Sequence, residues 1–436
     1  MTAEIAIMNK TAVALATDSA VTIEQQEDKK VYNSANKLFT LSKYHPVGIM
    51  LYGSADFMGI PWETIIKIYR NELGKQKFNT LEECANAFID FLDNGNSLFP
   101  DYEQEKYLRD TVFGYFHQIK YEIFEEVRLT IDNEGGVTEG QIEPIISDVI
   151  KRHYNHWNTF DLLPAIPKLH IKNIIKKYGH IIDEVKDEVF DELLISMKSS
   201  EQLSEISVNL FSKDLFSSSA SGIVIAGFGE KDAFPVIRSF SLEGIVNDRL
   251  KYVENHHQSH EINFDNSASI FAFAQKEMVA TFMDGIDPFY GRYAENYLSE
   301  IFDKYPEVIV ERIPKLNESE KKLLRENLKQ ESKRLFEDYR EWAEKYRQQQ
   351  HIGPIIDMVA VLPKDELAAM AESFVHLTSF KRKITMGAET VGGPIDVAVI
   401  SKGDGFVWIK RKHYFKPELN PHFFSNYYWE DDHEKE

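Results

Sequence analysis

The chain has 436 residues, 43 % of them hydrophobic and 12 % aromatic, which is ample core for one large unit. Its formal charge of −20, from 70 acidic against 50 basic residues, disfavours binding to nucleic acid or to an anionic membrane, since both rest on Lys and Arg neutralising phosphate. No apolar run approaches the ~18–20 residues of a membrane span and the N-terminus lacks a basic region followed by an apolar core, so a cytoplasmic protein is expected.

Residues Ala3 to Met8 and Thr11 to Thr17 read as two β-branched, alanine-rich strands joined by the turn-capable pair Asn9 and Lys10. Pairing outward from that turn sets Met8 opposite Thr11 and Thr2 opposite Thr17, which brings Asp18 beside the N-terminus. Thr2 is small enough for an aminopeptidase to remove Met1, leaving hydroxyl and free α-amine on one residue. An α-amine of pKa roughly 7.7–8.0 can serve as base to that hydroxyl at neutral pH. The polar stretch 23–35 reads as a loop. Strands Lys37 to Leu41 and Val47 to Tyr52 follow, and then a helical pattern from Gly53 to Gly74.

Residues 75–215 show helical spacing at Leu81 to Leu92, Tyr107 to Ile131, Ile142 to Trp157 and Ile171 to Leu194, with DNEGG at 132–136 as a loop between helices. The single cysteine, Cys84, reads as a buried small hydrophobe. SGIVIAGFG (221–229), bounded by glycine, reads as a buried strand, with PVIRSFSLEG (235–244) as its hairpin partner and Ala268 to Ala274 as a further strand. His256, His257 and His260 read as a polar loop, because adjacent histidines point apart and no fourth metal ligand is evident. Helical spacing returns at 276–304 and at 316–350, the latter densely charged, and again from Lys364 to Phe380. Strands Ile395 to Ser401 and Gly405 to Lys410, joined at Lys402-Gly403-Asp404, close the pattern. The tail 413–436 is rich in aromatics and acid, and its last six residues, Asp431 to Glu436, are expected to be disordered.

Four stretches together resemble the catalytic β-type subunits of proteasomes and of the bacterial protease HslV, members of the N-terminal nucleophile (Ntn) hydrolases. These are the hairpin ending in ATDSAVT, the NKLFTL strand, the IVIAGFG strand and VGGPIDVAVISKGDGFV (391–407). The resemblance implies one α+β domain over 1–412, a four-layer α-β-β-α sandwich, with a helical insertion at about 75–215 and an extended helical segment at about 305–350. It implies threonine-type cleavage of peptide amide bonds, Thr2 being the nucleophile, Lys37 lowering its proton affinity and Asp18 holding Lys37. A nearby cation favours the neutral amine and the developing oxyanion, and a carboxylate keeps the cation oriented. The family's oxyanion donor, a backbone N–H, falls near Ile49 or Met50. Its accessory serine, aspartate and serine fall on Gln275, Ala388 and Val391, while the adjacent Glu389 and Thr390 are candidates to replace part of that network. A peptide or protein substrate and a homo-oligomer are implied, with no cofactor and no metal. Two alternatives stay open: a small-molecule amidase of the same fold, and a non-catalytic scaffold like the proteasome α subunits.

Overall fold

A computed structural model describes residues 3–25, 28–93, 95, 97–385 and 391–423. Thr2, Ala388, Glu389, Thr390 and the end of the tail, Asp431 to Glu436 included, lie outside the described residues. The chain is a mixed α+β protein with antiparallel sheets. Its principal strands are β1 (Glu4–Asn9), β2 (Ala12–Thr17), β3 (Leu38–Thr40), β4 (Val47–Gly53), β5 (Ser221–Gly227), β6 (Val236–Val246), β7 (Arg249–Glu254), β8 (Ala268–Ala272), β9 (Asp396–Ser401) and β10 (Gly405–Lys410). The helices are α1 (Trp62–Leu73), α2 (Leu81–Leu92), α3 (Asp101–Glu134), α4 (Glu139–Asn158), α5 (Lys168–Val189), α6 (Met197–Asn209), α7 (Glu277–Asp284), α8 (Pro288–Glu311), α9 (Glu318–Arg347), α10 (Gly353–Val361) and α11 (Lys364–Ile384). No helix among the described residues is long and apolar enough to cross a membrane.

Two compact units are present, one of residues 1–38, 233–235 and 261–436, the other of 39–232 and 236–260. The first unit carries a five-stranded sheet in the order β8-β1-β2-β9-β10. Strands β1, β2 and β9 are buried along their whole length. Small side chains on β2, Ala12, Ala14 and Ala16, let α11 lie close and pack Leu367, Ala371, Phe374 and Val375 against Ile5 and Ile7. Those four helix positions follow the i, i+4, i+7, i+8 spacing of one buried stripe.

The second unit holds a sheet in the order β7-β6-β5-β4-β3. Trp62, Ile65 and Ile66 of α1 and Leu81, Phe88 and Leu92 of α2 share one core with Ile49, Ile223 and Ile225 of β4 and β5. Helices α3 to α6 form a second core, built on Leu108, Phe116, Ile150, Tyr178 and Leu203 and joined by Val246 of β6. The helical spacing seen between 75 and 215 therefore corresponds to α2–α6. Of these, α6 carried no separate signal, because its serine-rich sequence masks the stripe formed by Leu203 and Ile206.

Several boundaries differ from the sequence reading. Glu4 pairs with Thr17 and Met8 with Val13, so the turn is Lys10-Thr11 rather than Asn9-Lys10, and Thr11 is not the partner of Met8. Asn9 decides this. Its Oδ1 accepts from the Thr11 amide and hydroxyl at 2.9 and 2.7 Å, while its Nδ2 donates to the carbonyls of Val359 and Leu362 at 2.9 Å each, so Asn9 closes the strand and the turn follows it. The expected loop at 23–35 contains a small hairpin, Val21–Gln25 against Asp28–Tyr32, whose polar alternation hid it. Helix α1 begins at Trp62, after a short ladder of Asp56–Phe57 with Ile60–Pro61, because Gly59 takes φ +80° there. His256 and His257 form one 3-10 turn, and no metal-binding group of residues is found among the described residues.

Candidate active site

Asp18, which follows β2 directly, is fully buried and collects four donors. Its Oδ1 accepts from the Lys37 ammonium at 2.7 Å and from the Ala3 amide at 3.1 Å; its Oδ2 accepts from the amides of Ala20 and Gly392 at 3.2 and 3.0 Å. A carboxylate offers about four lone-pair sites, so every one is used. The Asp18 amide in turn donates to the Ala3 carbonyl at 3.2 Å, which ties residue 3 to residue 18 through two separate contacts. The residue that follows the candidate nucleophile is thereby fixed against the candidate carboxylate.

Lys37 stands just before β3, where the sequence placed it inside the strand, and its side chain is 7 % exposed. Asp18 is its one hydrogen-bond partner among the described residues, so two of its three ammonium N–H groups have no acceptor among those residues. A buried cation carrying spare donors can hold a developing negative charge.

The first and last of the sequence motifs lock together here. Besides the Gly392–Asp18 contact, the Ser19 amide donates to the Gly392 carbonyl at 3.1 Å and the Ser19 hydroxyl to the Pro394 carbonyl. Gly393 has φ +78°, and a Cβ there would lie 2.7 Å from Cβ of Asn33, so only glycine fits at this crossing.

A second buried pair, which the sequence reading missed, adjoins the first. Asp396 of β9 pairs with Thr17 across the sheet; its carboxylate accepts from the Lys412 amide at 2.7 Å and from the Lys412 ammonium. Burial pushes the Lys412 ammonium below the ordinary lysine value, Asp396 and Asp18 oppose that shift, and the Lys37 charge adds to it. The four groups thus form one electrostatic cluster. An aspartate beginning the apolar run VAVIS was its signal in the sequence, with the basic KRK at the end of β10 as counterpart. The Thr17 hydroxyl is buried with no hydrogen-bond partner among the described residues.

The remaining candidates are dispersed. Gln275 is buried and accepts from the Arg382 guanidinium, with Nε at 2.8 Å. Val391 belongs to the apolar core of the first unit. Met50 lies in the second unit on β4, opposite Val224 of β5, with its side chain fully buried. No protein-family model matches the chain, and no curated protein matches it in sequence.

Proposed function

We propose that this chain is a threonine-type Ntn hydrolase that cleaves peptide amide bonds through Thr2 once Met1 has been removed. The observation that carries the reading is the Asp18 hub, which holds the Lys37 ammonium and the Ala3 amide on a single carboxylate oxygen. A four-layer α-β-β-α arrangement is part of the proposal. It is supported by a five-stranded sheet with α11 packed on it and a six-stranded sheet with α1 and α2 packed on it.

In this mechanism the α-amine of Thr2 takes the proton of the Thr2 hydroxyl as its oxygen attacks the scissile carbonyl. The Lys37 ammonium favours the neutral amine and offsets the negative charge that develops, while Asp18 fixes its direction. Collapse of the tetrahedral intermediate breaks the C–N bond, and the amine product leaves with the proton held by the α-amine. An ester to Thr2 remains, and water activated by the same amine hydrolyses it.

The test has two stages. Intact mass and an epoxyketone that requires an N-terminal threonine first establish whether Thr2 is exposed and reactive; retention of Met1 in protein from the native host sinks the mechanism, because an amide nitrogen is no base. Peptide turnover is then measured for Lys37→Ala, Asp18→Asn and the double variant. Each single change should lower kcat/KM by at least about 10²-fold, and the double should be scarcely worse than either one. Strictly additive losses would show that the two residues do not act as a unit.

A further inference from the structure

Helices α8 and α9 form an antiparallel hairpin held by Phe302 against Phe336, with ring centroids 5.7 Å apart, and by Glu295 to Arg340 at 2.6 Å. Helix α9 runs for 30 residues without one buried side chain. Helices of that length in a folded protein normally bury a stripe, and the stripe exists here. On α9 it is Leu335, Tyr339, Trp342 and Tyr346, spaced 4, 3 and 4; on α8 it is Tyr293, Tyr297, Ile301 and Tyr305, spaced 4, 4 and 4. All eight are between 38 and 72 % exposed.

At 100° per residue, each stripe lies about 100° around its helix from the residues that face the other helix, turned in the same sense on both. Because the helices are antiparallel, that sense places both stripes on one side of the hairpin. The Phe302–Phe336 and Glu295–Arg340 contacts set the axial level, so Tyr297 stands beside Trp342 and Tyr293 beside Tyr346. A separate cavity of about 670 Å³ between the two helices is lined mostly by charged side chains, among them Glu295, Glu337, Arg340 and Glu344, and is not part of this apolar face.

We propose that this face is a homodimer interface, with the α8–α9 hairpin of one chain packing on that of a second copy to complete a four-helix bundle. Three observations select a second copy over other occupants. With aromatic side chains of about 150–250 Å² each, roughly half exposed, the face offers on the order of 800 Å², the per-partner share of a standard stable interface. The neighbouring charges are already neutralised within the hairpin, as in Lys304–Glu300 and Arg334–Glu331, so no field of one sign recruits a highly charged partner. Both stripes run along one side of an antiparallel hairpin, so a second copy turned about a two-fold axis sets apolar stripe on apolar stripe, as an isologous contact requires. The contact does not depend on the hydrolase reading.

The experiment is light scattering on the full chain from about 1 to 100 μM, wild type beside Tyr297→Glu/Trp342→Glu and beside Tyr121→Glu, an equally exposed aromatic on α3. The wild type and Tyr121→Glu should show twice the chain mass. The double variant should raise the dissociation constant at least about 30-fold, as loss of a central aromatic anchor does, with an unchanged circular dichroism spectrum. A wild type that is monomeric at 100 μM overturns the proposal. So does an assembly whose mass the double variant leaves intact.

Discussion

Breaking the Asp18–Lys37 pair from its two ends should cost unequal amounts, and the structure fixes the order. Lys37→Met removes one of four donors and leaves a fully buried carboxylate that still accepts from the amides of Ala3, Ala20 and Gly392. Stranding a buried charge costs about 3–5 kcal/mol, and three surviving donors to an ionised acceptor place this variant near the lower end, about 3 kcal/mol. Asp18→Ala strands the Lys37 ammonium and three backbone N–H groups at once. Each orphaned buried donor costs about 1–3 kcal/mol, so the loss should exceed that of Lys37→Met by at least about 2 kcal/mol. Adding Lys37→Met to Asp18→Ala removes the stranded cation, so the double variant should be more stable than Asp18→Ala alone. Urea unfolding followed by circular dichroism supplies all three free energies. Equal losses from the two single variants, or additivity within about 0.5 kcal/mol in the cycle, would refute the picture of Asp18 as the hub.

Two further outcomes follow from the geometry. Burial pushes the Cys84 thiol from 9.0 up to about 12, so a disulfide reagent at pH 8 should label it only at the rate of unfolding; since the unfolded thiol ionises first, stability should fall as pH rises from about 9 toward 12, and prompt stoichiometric labelling of native protein would contradict this. Gly393→Ala forces an L-residue into φ +78° and sets its Cβ 2.7 Å from that of Asn33, so it should cost about 2–3 kcal/mol in the same urea assay, whereas a loss under 0.5 kcal/mol would mean that the crossing of 392–394 over 18–20 is loose.

The parts of this site that the sequence made legible are those where residue type and local order coincide. Asp18 follows a buried strand, Lys37 precedes a short one, and VGG precedes an apolar run, so each could be located without knowing its partners. The hairpin register was less legible because shifting the turn from Asn9-Lys10 to Lys10-Thr11 preserves which side chains share a face; the choice rests on Asn9 reaching carbonyls some 350 residues away. Asp396 and Lys412 were less legible still. The aspartate before VAVIS and the basic KRK are local signals, but their pairing depends on β10 returning Lys412 alongside the start of β9. The hairpin 21–32 was hidden by its polarity, since a two-stranded ribbon outside the main sheet has no apolar alternation to display.

Why the chain keeps four charges together in its first unit bears on what they are for. A buried ion pair is rarely worth more to stability than well-packed apolar side chains of the same volume, and here two such pairs sit on neighbouring strands, both aspartates at the end of the sheet where Ala3 is bound. Stability alone would favour apolar replacements. The two pairs also differ in a way that pure packing does not require. Asp396 takes both the amide and the ammonium of Lys412, so that lysine is bound to its carboxylate by its own backbone as well as by its tip. Lys37 is bound to its carboxylate through its tip alone, and each ammonium has one acceptor among the described residues. Of the two cations, Lys37 is the one whose carboxylate oxygen also holds the Ala3 amide, while Lys412 adds positive charge to the same cluster. That division of labour is the strongest support the geometry lends to a reaction at the N-terminal end of β1.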